Sequence, residues 1–344
     1  MSLAPYTAVM FASYGGPNEP DDVLPFMRNA TAGRGIPDDR LMEVSQHYML
    51  FGGRSPINEL NAALMEAVHG ELLRRGVDVP VVIGNRNWTP YFAETTRQLV
   101  DDGHTRVLAL PTSAYRSYSS CRQYDEDLAK AQEEVDGVIQ FDKIGPFAES
   151  EAFVDAQSRA TVAGVRKLRE EIGDRALKVL FVTHSIPTAM NACSGPGDPE
   201  LRYDVMTERV AARTVALAQA DLGEELDWEL TYCSRSGAPH IPWLEPDVND
   251  LMEELPEGLG VVTVPIGFIS DHMEVAYDLD TQAKETAAAQ GLPYVRAATV
   301  GTDPGFVAML ADKLLELAAV ARGELDEPEF RCTAPGHCLP RPAH

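Results

Sequence analysis

One stretch constrains the fold more than any other because its pattern occurs twice: Val179-Leu180-Phe181-Val182-Thr183-His184-Ser185-Ile186-Pro187. Four apolar residues run into Thr183 and His184, and Pro187 then forbids a continued strand. This is the pattern of a short buried strand ending in a turn. It stands 170 residues earlier as Val9-Met10-Phe11-Ala12-Ser13-Tyr14-Gly15-Gly16-Pro17, with Tyr14 where His184 falls and Pro17 where Pro187 falls. A second pair supports a duplication, since Val107-Leu108-Ala109-Leu110-Pro111 matches Val261-Val262-Thr263-Val264-Pro265. The chain reads as two related halves facing each other across a cleft, each offering residues from its strand ends. Open α/β sheets place their ligands there.

Taken in order, the pattern predicts strands at 7–13, 79–83, 106–110, 138–144, 179–184, 228–232, 261–265 and 294–298. Short helices are expected at 23–27 and 41–48. Ser55 reads as an N-cap and Pro56 as the first helical position. Ile57, Leu60, Leu64, Val68 and Leu72 make one apolar stripe, which Gly76 ends. Thr89-Pro90 starts the next helix and Gly103 stops it. Residues 113–124 read as a polar aromatic loop. Further helices are expected at 150–172, around 206–222, at 271–290 and at 306–321. Strands alternating with helices indicate an α/β protein with parallel sheets and helices on both faces. The domains are set at 1–150, completed by a C-terminal helix at 304–322, and at 151–303, with a Cys- and Pro-containing tail at 323–344. No Gly-x-Gly-x-x-Gly or Walker pattern marks a nucleotide site.

The 344 residues suffice for two domains of ordinary size. A net charge of −24 argues against nucleic acid, which needs a basic face, and reads first as solubility. No run approaches the roughly 18 apolar residues of a membrane span, and the N-terminus lacks a signal-peptide pattern. A cytoplasmic protein is expected. Five scattered cysteines, Cys121, Cys193, Cys233, Cys332 and Cys338, do not form a secreted disulfide framework.

Three constellations could carry chemistry. His184 at its strand end is both a base and a ligand for divalent transition metals. Asp271, Glu274 and Asp278 fall at spacings of three and four, so on a helix they would line one face and border the cleft. Close carboxylates raise one another's pKa and can pass protons or hold a hydrated cation. For an anionic ligand, Ser55 offers a hydroxyl at a helix start, and Arg28, Arg34, Arg54 and Arg116 could add charge. Tyr14 and Tyr124 lie in polar surroundings, and a tyrosine phenol can ligate haem iron. The bland alternatives are a structural histidine, a solvated acidic face and simple capping by Ser55.

At these residues the sequence resembles the ferrochelatases, which insert ferrous iron into a porphyrin, and most nearly the actinobacterial type acting on coproporphyrin III. The landmarks run from Tyr14-Gly15-Gly16-Pro17 through His184-Ser185-Ile186-Pro187 to Asp271-His272-Met273-Glu274. Between them lie Gly52-Gly53-Arg54-Ser55-Pro56-Ile57-Asn58, Gly84-Asn85-Arg86-Asn87-Trp88, Ser234-Arg235-Ser236-Gly237 and Pro242-Trp243-Leu244-Glu245-Pro246. The resemblance implies two Rossmann-like domains of the chelatase fold with porphyrin between them. It implies His184 and Glu274 as the iron-site pair; the need to remove two pyrrole protons adds Asp278 and Asp271 as relay candidates beside Glu274. Ser55 and Tyr124 fall on porphyrin-contacting positions, with Arg54 beside Ser55, and Tyr14 on a residue that ligates product iron. Where relatives place an arginine before a tyrosine, this chain has His47-Tyr48. Ferrous iron and coproporphyrin III are the implied substrates, and a haem-pathway enzyme receiving coproheme is the implied partner. Some ferrochelatases carry a 2Fe–2S cluster held partly by a C-terminal cysteine motif. Cys121, Cys193, Cys332 and Cys338 are the candidate ligands, with Cys233 left over; five free thiols are the alternative. Insertion into protoporphyrin IX, insertion of cobalt into another tetrapyrrole, and a non-catalytic tetrapyrrole or metal carrier are the competing functions.

Overall fold

A computed structural model describes residues 1–33, 35–195, 198–236 and 240–326. The first half runs β1 (Ala8–Ser13), α1 (Pro20–Ala30), α2 (Asp38–Met49), α3 (Ile57–Arg74), β2 (Val81–Asn85), α4 (Phe92–Asp101), β3 (Arg106–Pro111), α5 (Gln123–Glu133) and β4 (Gln140–Lys143). The second runs α6 (Glu151–Ile172), β5 (Leu177–His184), α7 (Thr188–Ala192), α8 (Tyr203–Leu222), β6 (Asp227–Cys233), α9 (Val248–Glu253), β7 (Gly260–Val264), α10 (Met273–Tyr277), α11 (Lys284–Ala289), β8 (Tyr294–Arg296) and α12 (Pro304–Ala321). Two parallel four-stranded sheets result, ordered β2-β1-β3-β4 and β6-β5-β7-β8. The expected α/β class is found, with helices flanking both sheets.

The repeat seen in the sequence is a repeat of topology and of register. Each half has the same strand order, with its first strand beside its third. Ala8 pairs with Val107, and Lys178, 170 positions on, pairs with Val261, the match to Val107. Contacts divide the chain into two compact units. Among the described residues, one comprises Met1–Ser113, Cys121–Gly145 and 307–326; the other comprises Ala114–Ser120 and Pro146–Phe306.

Each unit has its own core. Met10, Phe92, Leu99, Val107, Leu128 and Ile139 are among the buried residues of the first, and Leu180, Val182, Val261, Val275 and Leu279 of the second. Strand β5 is apolar without alternation, and Val179 to Thr183 are all buried, so both of its faces are covered. Each such side chain, fully buried, contributes about 1.5–3 kcal/mol of transfer free energy.

Four local expectations are corrected. Strand β2 starts at Val81, after Pro80, which has no N–H for the ladder. In α3 it is Asn61 that is fully buried, donating to Ser13 Oγ at 2.8 Å, while Leu60 is half-exposed. Residues 118–122 form a π-helical turn that leads into α5, so Tyr124 lies on a helix and packs edge-on to Phe92 in the core. The helix expected over 271–290 is three pieces, α10, a π-helical turn over Asp278–Ala283, and α11.

Candidate active site

In the second unit the chain leaves β5 to one side for β6 and returns on the other side for β7. The carboxyl ends of β5 and β7 therefore flank the point where strand order reverses, the usual ligand crevice of such sheets. His184 is the last residue of β5. Its carbonyl accepts the Tyr203 hydroxyl at 3.0 Å, and the next residue is held by Ser185 N–H to Cys233 O at 2.8 Å and Ser185 Oγ to Leu244 O at 2.8 Å. Leu244 N–H donates back to Ile186 O at 3.0 Å, so the Pro242-Trp243-Leu244 stretch braces the turn.

The segment after β7 is drawn against this strand end. Gly267 N–H reaches Val182 O at 3.3 Å, and a Cβ placed on Gly267 would lie 2.0 Å from Thr183 Oγ1. Only glycine permits that approach. The backbone then delivers His272 and Glu274. His272 caps α10 through Nδ1, which accepts the Glu274 N–H at 3.2 Å. Glu274 Oε1 stands 3.6 Å from His184 Nε2. His184 Nδ1 donates to Ser185 O, which orients the ring and leaves Nε2 toward the carboxylate.

Charges at the site follow from this geometry. Burial disfavours the His184 cation, but the Glu274 carboxylate, the Ser185 carbonyl and Asp278 outweigh it and raise its pKa to about 9. The free protein thus holds an imidazolium–carboxylate pair at neutral pH. Burial and the nearby His184 charge lower His272, in opposition to Glu274 and Asp271. A neutral His272 agrees with its Nδ1 acting as an acceptor. Burial lifts Asp278 to about 7, although the Ser234 hydroxyl donates to its Oδ2 and opposes the shift. Ser234 has φ of 61°, a left-handed conformation uncommon for a residue with a side chain.

Asp271 does not lie on the helix where it was expected. It precedes the helix and is held by both nitrogens of the Arg296 fork, at 3.1 and 2.9 Å, and by Thr299 Oγ1 at 3.1 Å. The same guanidinium binds Asp280 in the π-helical turn at 2.9 and 2.7 Å. Arg296 therefore ties both ends of the segment that carries Glu274 and Asp278. Two of the three expected carboxylates gather at His184, and the third is spent on Arg296. His272 was not singled out in the sequence as a site residue; its position two before Glu274, at the start of a helix, was the available signal.

The remaining candidates lie in the first unit. Tyr14 follows β1, is 37% exposed and meets Phe26 edge-on at 6.2 Å. Ser55 is buried, and its Oγ accepts the Ile57 N–H at 3.4 Å. Pro56 already has helical dihedrals and its carbonyl accepts the Leu60 N–H at 3.1 Å, so Ser55 caps the start of α3. Tyr124 is 4% exposed, with the Arg86 guanidinium 4.3 Å from its ring centre. Arg54 is exposed and faces Glu59 at 3.4 Å. Arg34 lies outside the described residues.

Cys121 is buried, and its Sγ accepts from Lys143 Nζ at 3.1 Å; Cys193 is half-buried. Cys332 and Cys338 lie outside the described residues. Among the described residues no three His, Cys, Asp or Glu are arranged to hold a metal ion, so those residues alone do not fit an iron–sulfur cluster. Among them, too, no helix is long and apolar enough to cross a membrane.

Two sheets of one order, with an imidazole and a carboxylate meeting at a switch point, make an α/β protein whose fold is shared with a solved chelatase. The sirohydrochlorin chelatase SirB from Bacillus subtilis subspecies spizizenii, solved with cobalt, has this fold: TM-score 0.50 at 14% identity, covering 94% of this chain and 97% of that one. The family model described as Ferrochelatase matches residues 6–317, and the chain belongs to the ferrochelatase family. A coproporphyrin III ferrochelatase of Streptomyces griseus is 48% identical over 98% of this chain and 92% of that protein. One from Leifsonia xyli is 46% identical over 90% and 84%, and a ferrochelatase of Rhodopirellula baltica 41% identical over 91% and 87%.

Proposed function

We propose that the protein inserts ferrous iron into coproporphyrin III, giving the iron porphyrin and two protons. The observation that carries this reading is the 3.6 Å approach of His184 Nε2 to Glu274 Oε1 at the switch point of the second sheet. An imidazole with a carboxylate is a donor set that suits ferrous iron. Insertion removes two pyrrole protons, so acceptors must stand where the metal enters. His184 is protonated in the free protein at neutral pH. A dication arriving at Nε2 would drive that proton off toward Glu274, and once the iron has passed from Nε2 to the pyrrole nitrogens the freed Nε2 can accept a pyrrole proton. Glu274, with Asp278 one turn further along, relays protons outward. Binding energy from the substrate's carboxylates can sustain the bent macrocycle that exposes the nitrogen lone pairs. Tyr14, Ser55, Arg54 and Tyr124 are proposed porphyrin contacts; for the buried Tyr124 and Ser55 this requires contact through the loops they support.

Anaerobic incubation with ferrous iron and iron-free coproporphyrin III, followed by absorbance, tests the reading, with protoporphyrin IX as the competing substrate. His184→Ala is expected to abolish insertion while porphyrin still binds. Insertion at a near-normal rate by that variant defeats the assigned role. A 2Fe–2S cluster is a separate proposal resting on Cys332 and Cys338. Brown colour lost in Cys332→Ser supports it, and colourless protein lacking iron and sulfide refutes it.

A further inference from the structure

The sequence offers four arginines for an anionic ligand, and the structure separates them. Arg28 forms a two-bond fork with Asp38, Arg54 faces Glu59, and Arg34 lies outside the described residues. Arg116 differs from all of these. It is 2% exposed, and its Nε and Nη1 are enclosed with no hydrogen-bond partner among the described residues. The chain has 53 acidic residues, yet none of those described is paired with this cation. A buried guanidinium without a counter-charge is strongly unfavourable. Such a cost persists in a fold when a ligand is to supply the missing anion.

Its surroundings suit one. Ser117, Ser119 and Ser120 follow directly, with Ser117 Oγ lying 3.2 and 2.7 Å from the hydroxyls of the other two. Ser120 Oγ donates to Tyr115 O at 3.0 Å, which folds this stretch onto itself. The stretch is also packed against the His184 turn. Tyr115 Oη donates to Ile266 O at 3.0 Å and its ring meets Tyr203 edge-on at 6.0 Å. Tyr203 is the residue whose hydroxyl holds the His184 carbonyl, and Ser119 Oγ lies 3.9 Å from Met190 Sδ on α7.

We propose that Arg116 is a carboxylate anchor, receiving an acidic side group of the tetrapyrrole whose centre is served by His184 and Glu274. This rests on the metal-insertion reading. The orphaned Nε and Nη1 lie on different edges of the planar guanidinium, so a carboxylate joined by two parallel bonds would take one of them together with Nη2, and coproporphyrin III carries four carboxylates.

Fluorescence titration with iron-free coproporphyrin III and with its carboxylate-free tetramethyl ester tests the proposal, alongside melting of the ligand-free proteins. Arg116→Gln is expected to weaken binding of the acid by about tenfold or more and to leave the ester unaffected. Arg116→Lys should fall between, since it keeps the charge and loses the fork. Without ligand, Arg116→Gln should melt above the wild type, because an unpaired buried charge is gone. A purely structural arginine would give the opposite shift. Unchanged affinity for the acid, equal losses for acid and ester, a lower ligand-free melting point or failure of the glutamine variant to fold each overturn the anchor. So does stabilisation of wild type by millimolar phosphate or acetate, lost in Arg116→Gln, with porphyrin affinity unmoved; that marks a small-anion site. Metallation assays on the same samples separate the two readings. Wild type that binds the acid through Arg116 without inserting iron sinks the insertion reading alone. Wild type that inserts iron, with KM unmoved in Arg116→Gln, sinks the anchor alone. Wild type that does not bind the acid sinks both.

Discussion

Replacing Glu274 by Gln isolates what holds the proton on His184. In the wild type burial pulls the imidazole down, and the Glu274 charge is the largest influence raising it, to about 9 from an ordinary 6.5. That rise is worth about 3 kcal/mol at face value. The Glu274 side chain is 49% exposed and that of His184 31%, so solvent screening reduces it to about 1–2 kcal/mol. The folded pKa lies above the unfolded one. The pair's stabilisation is therefore complete below about pH 6.5 and is lost as pH rises through about 9. Urea unfolding of wild type and Glu274→Gln should differ by about 1–2 kcal/mol near pH 6 and converge near pH 10. In parallel, the His184 ring followed by NMR should titrate at or below its ordinary value in the variant. A stability gap that is the same at both pH values, or a variant His184 still titrating near 9, would falsify the assignment of the proton to this pair.

Other perturbations have equally definite outcomes. Asp278→Asn should gain stability relative to wild type as pH rises through about 7, because ionising the buried carboxyl costs the folded state there; denaturant midpoints near pH 5 and pH 8 measure it. Gly267→Ala should cost about 2–4 kcal/mol and abolish iron insertion, since the added Cβ collides with Thr183 beside His184; a thermal melt and a metallation assay together decide it. Arg296→Leu leaves Asp271 and Asp280 without their shared cation and should cost about 2–4 kcal/mol. Its kcat should fall more than its porphyrin affinity, and Arg296→Lys should recover only part, since lysine has no fork.

His184 was legible as a strand-end residue because it closes an uninterrupted apolar run, and a run of that kind ends at the ligand edge of a parallel sheet; its pairing with Glu274 came from the resemblance to the ferrochelatases. Pro187 fixed the place where the strand had to stop. Asp271 was misread for a reason periodicity cannot detect: its partner Arg296 lies 25 positions on, at the end of β8. The π-helical turn over Asp278–Ala283 was equally hidden. Its one extra residue per turn leaves no trace in spacings of three and four, and it is held by a tertiary bond from Arg296 to Asp280. Tyr124 looked like a loop residue because its neighbours are polar, yet cation–π contact with Arg86 lets that polar segment cover a core. Arg116 was one of four equal arginines in the sequence, and only three-dimensional pairing distinguished it.

The first unit is built from stretches that the second unit separates in sequence. Residues 307–326 belong to it, with Leu310, Leu314 and Leu317 buried, Arg75 donating to Ala308 O at 3.1 Å, and Arg322 donating to Ser2 O at 2.9 Å. During translation the amino-terminal half therefore emerges first and waits, its apolar surface uncovered, while the ribosome makes the whole of the second unit. The unit synthesised later can close before the earlier one, reversing the usual vectorial order. Nascent chains stalled shortly before α12 should be the ones that most need a holdase.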